Sequence, residues 1–288
     1  MMKAIYKKEV KSYLTSMIGY VFIFFILLLE GIYFTAYNLQ NAYPLFGTTL
    51  SAVTFIFLIL VPVLTMKTIA EERKQKTDQL LLTAPVSVSE IVLGKFLAVA
   101  TVYAIPVLII CLYPMIMGKY GTVSYAMAYT AVLGFALLGF AQIAVGVFWS
   151  SVTENPVIAA VVTFIVLFVC YMITGIGSLI PDSSMASLVC YMLLVLLAAV
   201  WTYHMIRNLW IAAVIGIAGE AALAITYVVK STLFEGSIQK FLAVFDITSH
   251  FDNFTNGILD LQGVVYFLSV IIIFLVLTVQ TITKRRWN

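Results

Sequence analysis

Thirteen carboxylates, two histidines and three cysteines are what this 288-residue chain offers for acid–base, nucleophilic or metal chemistry. Few of them are spaced to act together. Cys111, Cys170 and Cys190 all fall in apolar runs, where a cysteine is most often a small buried hydrophobe, and they form neither a metal pattern nor a disulfide framework. His204 and His250 lie in separate, dissimilar segments, which supplies little for an integral-membrane enzyme. His250, Asp252 and Asp260 share one stretch, but without a ligand partner at fixed spacing they are weak grounds for a metal or acid–base site. Two acids stand inside apolar runs, Glu30 and Glu220, where a charge costs on the order of 2.5–3.5 kcal/mol on insertion scales. Each is a candidate for a substrate path or for a group held neutral; the plainer alternatives are that Glu30 reaches the nearby interface and that Glu220 bonds a neighbouring helix. Gln142 joins them as a weaker candidate, since an amide also serves as glue between helices.

The remaining polar chemistry is concentrated in one place. Lys67 to Lys95 holds nine of the twenty-nine formal charges and sits between two long apolar runs, so it is expected to lie in water. Glu72 and Lys76 are spaced i,i+4 in the favourable order, and Leu80, Leu81 and Leu82 give this charged helix an apolar end. Pro85 disfavours helix at Ala84, and Ser87 with Glu90 three residues on forms a capping box that opens the next helix. A charged helix with a leucine-rich end, held just outside a membrane, is a handle for a soluble partner. The plainer alternative is a solvated connector, against which its length argues, since most connections run to about 4–6 residues.

What must position these residues is a membrane bundle. At 63% hydrophobic and 10% charged residues, with a mean hydropathy of +1.08, the chain is far from the roughly 25% charge of soluble domains. The fold class expected is all-α: a polytopic transmembrane helical bundle forming one domain over 1–288. Residues 1–17, in which Lys3, Lys7, Lys8 and Lys11 alternate with Ile5, Tyr6, Val10 and Leu14, suit an interfacial helix on an anionic leaflet. No convincing cleavage site follows before Asn38, so Ile18 to Tyr37 is taken as a retained first span. Further spans are expected at Thr48–Met66, Gly94–Met117 with Pro106 and Pro114 as kinks, Tyr125–Trp149, Val157–Leu179, Ser187–Tyr203, Leu209–Val229 and Gly263–Ile282. That makes about eight candidate spans, or six if Ser187–Val229 is a re-entrant or interfacial hairpin. Lysine and arginine fall overwhelmingly on one side: only Lys119, Lys230 and Lys240 lie opposite the termini, which predicts that both termini and the 67–93 segment are cytoplasmic. In 230–262, Phe234, Ile238, Phe241, Leu242 and Phe245 recur at helical spacing with Glu235, Lys240 and Asp246 between them, the pattern of an external amphipathic or re-entrant segment. The net charge of +3 is accounted for by orienting lysines and arginines, so no nucleic-acid partner is expected.

EERKQKTDQLLLTAPVSVSEIVLGK resembles the cytoplasmic segment between the second and third spans of ABC-2 type transporter permeases. The match is carried by Thr77, Leu80, Leu81, Leu82, Pro85, Val86, Ser87, Gly94 and Lys95. Lys76, Gln79 and Ala84 depart from it, standing where glycine, glutamate and serine are usual. FDNFTNGILDLQGVVYFLS, followed by a last span and KRRW, is similar to the branch that includes gliding-motility-associated permeases.

The resemblance implies the ABC-2 exporter (type V) fold and a transmembrane subunit in a bacterial plasma membrane. It implies a second permease copy or related permease as one partner and a separate ABC ATPase, carrying ATP and Mg, as the other. No G-x-x-x-x-G-K-[ST] occurs here, so no cofactor and no catalytic role are expected of this chain. In this reading Glu71 to Leu82 form the coupling helix, with Glu71, Glu72, Arg73, Thr77, Leu80, Leu81 and Leu82 on the ATPase side and Pro85 and Ser87 passing motion to the third span. Phe234, Phe241, Phe245 and Phe251 take the place of an outer gate. The rival from another class is an ion-coupled transporter working through Glu30 and Glu220 without any ATPase.

Overall fold

A backbone in hydrocarbon must bond to itself, so the apolar runs of this chain become helices. The computed structural model describes residues 2–78 and 86–287, without the side chains at 205, 206, 211, 212, 286 and 287, and contains no strand among the described residues. Six helical stretches are long and apolar enough to cross a membrane: Met17–Gln40, Val88–Met117, Tyr125–Val152, Pro156–Ser178, Ser184–His204 and Leu261–Arg285. Two further pairs qualify only as bent units, Phe46–Thr54 with Phe57–Thr65 at 60°, and Ala213–Val229 with Ser231–Ala243 at 116°, giving up to eight spans. The chain is thus an all-helical, multi-pass bundle, as its composition requires.

In chain order, α1 is Met2–Thr15 and α2 is Met17–Tyr33, which continues as a π-helical stretch over Phe34–Gln40. Next come α3 (Phe46–Thr54), α4 (Phe57–Thr65) and α5 (Ala70–Lys74). The long α6 (Val88–Ile110) runs into the short α7 (Tyr113–Met117), and α8 (Tyr125–Val152) follows. The expected kinks are visible here: Pro106 lies inside α6, and Pro114 opens α7 after a break. The second span, expected as one rod over Thr48–Met66, is instead broken between α3 and α4, where the Thr54 hydroxyl turns back onto the Ser51 carbonyl at 2.7 Å.

Two compact units emerge. The first comprises Met1–Val169 and Ile247–Asn288, and α8 forms its buried centre. Two close approaches on α8 demand glycine: a methyl group at Gly139 would overlap the Tyr103 ring, and one at Gly146 would overlap Thr65. Tyr103, wholly buried, donates its hydroxyl to the Phe135 carbonyl at 2.7 Å and packs edge-on against Phe22, Phe57 and Phe140. The last span, α14 (Leu261–Trp287), packs on α8 through Phe148 and Phe274, and α13 (Asp252–Thr255) buries Phe254 against Gly134. At the far end of α2, Asn38 donates to the Tyr43 carbonyl at 2.8 Å and accepts from the Thr49 hydroxyl at 2.5 Å, which fixes the turn into α3.

The second unit is Cys170–Asp246. The end of α9 (Pro156–Ser178) enters it, and α10 (Ser184–Ile206) and α11 (Leu209–Val229) pack as an antiparallel hairpin. Ser183 caps α10 through the Ala186 amide at 3.3 Å, and Asn208 caps α11 through Trp210 at 3.0 Å. After the sharp bend, α12 (Ser237–Ala243) and the residues behind it are tied to the end of α9 and the turn after it: Gln239 donates to the Ile180 carbonyl at 2.9 Å, and the Thr174 hydroxyl bonds Asp246 at 2.5 Å.

Candidate functional site

The charged residues near position 70 gather around a lysine that hydropathy alone would leave in water. Ser87 accepts the Glu90 amide at 3.3 Å, and α6 starts at Val88, where the capping-box spacing predicts, ahead of Gly94, the expected start of the apolar span. Lys95 then lies two turns inside the helix with 2% of its surface exposed. Its ammonium meets Glu9 Oε1 of α1 at 2.9 Å, Glu72 Oε2 of α5 at 2.9 Å and the Thr68 carbonyl at 2.8 Å. Three donors thus find three acceptors, the condition under which a buried charge is tolerated. Glu72 uses its other oxygen on Lys8 at 3.1 Å. Burial alone would pull the Lys8 ammonium down, but the charge and hydrogen bond of Glu72, with Glu9 behind, hold it above its ordinary value.

A second set of bonds fixes the same segment from two sides. Tyr13 of α1 donates to the Leu64 carbonyl at 3.1 Å and shares a hydrogen bond with the Thr68 hydroxyl at 3.0 Å; burial pushes its phenol well above the usual range. From α8, the fully buried Ser150 hydroxyl accepts the Ile69 and Ala70 amides, both at 3.1 Å, and donates to the Met66 carbonyl at 3.1 Å. α5 has no cap from its own preceding residue, so a side chain eighty positions later supplies one.

The helix so capped is short. The i,i+4 reading of Glu72 and Lys76 predicts a helix running on towards the leucines, but α5 ends at Lys74 in a left-handed turn. Lys76 takes φ 56°, the Lys76 amide bonds the Arg73 carbonyl at 3.0 Å and the Thr77 amide bonds the Glu72 carbonyl at 2.9 Å. This is a Schellman ending with lysine at the position that favours glycine. The sequence pattern expected glycine at that very place, and Glu72, freed from Lys76, pairs with Lys95 and Lys8 instead.

Of the other residues expected here, Glu71 accepts from Gln75 at 2.8 Å, and Thr77 is exposed with its hydroxyl on the Glu72 carbonyl at 3.3 Å. Arg73, expected on the partner side, is buried; its Nη1 meets no protein acceptor among the described residues. Burial, then the nearby Arg285 charge, lower Arg73 to about 10, with Asp78 and Glu154 pulling the other way. Arg285 itself is ion-paired to Glu154, whose carboxyl that hydrogen bond and charge hold below the ordinary 4.5. Leu80, Leu81, Leu82 and Pro85 lie outside the described residues.

The path and gate candidates are distributed over both units. In the first, Glu30 is wholly buried on α2 and Gln142 is buried on α8, and among the described residues neither Glu30 oxygen nor Gln142 Oε1 meets a protein donor. In the second, Glu220 lines an open cavity of about 390 Å³ within the α10–α11 hairpin, beside Tyr203 and Gly216. Phe234 is buried between Tyr191 and Tyr227, while Phe241 and Phe245 pack on each other and stay half exposed. Phe251 belongs to the first unit, against Phe135 of α8. His250 stacks on Tyr266 at 3.7 Å.

Sequence reading alone did not single out Glu9, Tyr13, Lys95 or Ser150 as site residues. A lysine soon after a capping box and at the mouth of an apolar run, already part of the family-like motif, is the one signal that could have pointed to Lys95. Ser150 and Tyr13 carry none, because their partners are backbone groups brought near only by the fold.

A family model described as ABC-2 family transporter protein matches residues 3–285. No curated protein sequence matches the chain.

Proposed function

The chain belongs to the ABC-2 family of transporter proteins, and from that premise we propose that it is the permease subunit of an ATP-driven exporter in a bacterial plasma membrane. ATP and Mg bind a separate ABC ATPase, which docks on the segment between α4 and α6, and a second permease completes the pathway. The lysine and arginine distribution supports a cytoplasmic placement of that segment, and the Phe251–Ser269 stretch with its cationic end supports the branch that includes gliding-motility-associated permeases.

The observation that carries the reading is Lys95, held at once by α1, by α5 and by the Thr68 carbonyl. A push on the exposed Lys74–Thr77 turn reaches Glu72 directly and passes to α6 through a buried ion pair. Ser150 gives the same push a route into α8, the centre of its unit. In this scheme α5 is an anchored lever, and Glu30, Gln142 and Glu220 are candidates for the path, with Phe234, Phe241, Phe245 and Phe251 as candidates for the outer gate.

The test is copurification from solubilised membranes. The intact chain is expected to bring down an ATPase subunit, and the Leu80→Ser/Leu81→Ser/Leu82→Ser variant to lose it while remaining folded. No ATPase with the intact chain would sink the proposal. The ion-coupled alternative is favoured by one observation, the unpartnered Glu30 carboxylate; substrate movement that persists without any ATPase and stops in Glu30→Gln would select it.

A further inference from the structure

Helix α1 carries four stripes, of which Ala4, Lys8 and Ser12 form the one beside the ion-pair cluster. In the other three, Ile5, Glu9 and Tyr13 are buried against the protein; Met2, Tyr6, Val10 and Leu14 are half-buried and wholly apolar apart from one hydroxyl; Lys3, Lys7 and Lys11 are exposed. Each stripe repeats every fourth residue, and at about 3.6 residues per turn the three lie side by side around the helix, apolar in the middle. The middle stripe belongs to the membrane side, because the Tyr6 hydroxyl bonds Thr101 at 3.0 Å, about two turns beyond the Gly94 that packs against Ile5, into the apolar span of α6. The three lysines therefore flank the apolar stripe on the side away from the protein. Lys8, by contrast, points into the ion-pair cluster, and these three have no acidic partner among the described residues.

We propose that α1 is a sensor of anionic phospholipid: Lys3, Lys7 and Lys11 bind headgroups of the adjacent leaflet while Met2, Tyr6, Val10 and Leu14 insert among the chains. Its opposite face is the one that holds the coupling segment, through Glu9 to Lys95 and Tyr13 to Thr68. Lipid charge thereby sets how firmly α1 is seated, and hence how firmly Thr68–Thr77 is held. The lipid site stands on the helix geometry alone; only its consequence for ATP coupling rests on the exporter reading.

The experiment is amide hydrogen exchange on the full chain in nanodiscs of phosphatidylcholine with and without phosphatidylglycerol. The anionic lipid is expected to slow exchange in α1 by at least roughly tenfold, given the attraction of each lysine to an anionic surface, and to slow Thr68–Thr77 with it. High salt should reduce the effect. Lys3→Gln/Lys7→Gln/Lys11→Gln should abolish it, whereas Lys119→Gln/Lys230→Gln/Lys240→Gln should leave it intact. Identical exchange in the two lipids, or an effect that survives the first triple variant, would overturn the site. The same protection from inorganic phosphate in neutral discs would overturn its assignment to lipid. Protection confined to α1 would overturn the link to the coupling segment. No ATPase enters the readout, so this result and the copurification result fail independently.

Discussion

At position 95 an ammonium is bonded to as many acceptors as it has protons, and this makes the residue sensitive in one direction only. Lys95→Met leaves Glu9 and Glu72 with only the exposed Lys8 as counterion and should cost about 3 kcal/mol, seen as a lower unfolding temperature in detergent. The triple variant Lys95→Met/Glu9→Gln/Glu72→Gln removes the charges together and should recover most of that loss; on the proposed exporter reading it should still be uncoupled, because the link between α5 and α6 is gone. A recovery of coupled ATP hydrolysis in the triple variant would show that the ion pair is only structural. Lys76 is the opposite case. Its left-handed backbone strains any side chain, so Lys76→Gly should raise stability by about 1 kcal/mol in the same assay. Glu154 adds a pH dependence: its pKa is depressed by Arg285, so the pair stabilises above the ordinary value of 4.5 and the contribution is lost as pH falls through the lower, folded value. The difference in unfolding temperature between the natural chain and Glu154→Gln should be present at neutral pH and vanish in strong acid.

Among the elements, α5 is the least self-sufficient. Five residues cannot form a helix alone in water, and its end is capped from α8. Ser150→Ala would leave the Ile69 and Ala70 amides and the Met66 carbonyl without their partner, a loss of about 1–3 kcal/mol. It should appear as faster hydrogen exchange confined to Ala70–Lys74; unchanged exchange there would show that the segment is held by Lys95 and Tyr13 alone. The elements differ in how far they could be read in advance. α8, α9 and α14 are legible because a long apolar run leaves the backbone one choice, and the start of α6 is legible in Ser87 and Glu90. The end of α5 is not, since a lysine in the left-handed region contradicts local preference and is sustained by what surrounds it. Nor is the break between α3 and α4, where a threonine in an apolar run gives no warning of a 60° bend. The site was legible as a charged segment and illegible as a cluster, because Glu9 meets Lys95, and Ser150 meets Ile69, across separations of about eighty residues.

At the scale of the whole chain, the distribution of lysine and arginine fixes an expected sidedness. With Cys111, Cys170 and Cys190 replaced by alanine, a single cysteine at Lys119 should react in intact cells with a membrane-impermeant maleimide, and cysteines at Lys11 or Lys74 should react only after permeabilisation. Labelling of Lys74→Cys in intact cells would place the coupling segment on the wrong side for any ATPase. Six helical stretches and two bent pairs also leave the number of crossings to the bent pairs, and the same labelling at Arg207 and Asp182 decides whether the α10–α11 hairpin crosses fully.

The three-sided hold on α5 also bears on protein engineering. If the proposed ATPase docks there, a designer who wished to redirect this permease to a different one would be tempted to splice in the foreign loop between α4 and α6 as a cassette. That graft would arrive without its counterparts, since the residues that seat it stand in α1, in α6 and near the end of α8. Chimeras cut at the loop boundaries should therefore misassemble, and only transplants that carry positions 9, 13, 95 and 150 along with the loop should change partner and still work.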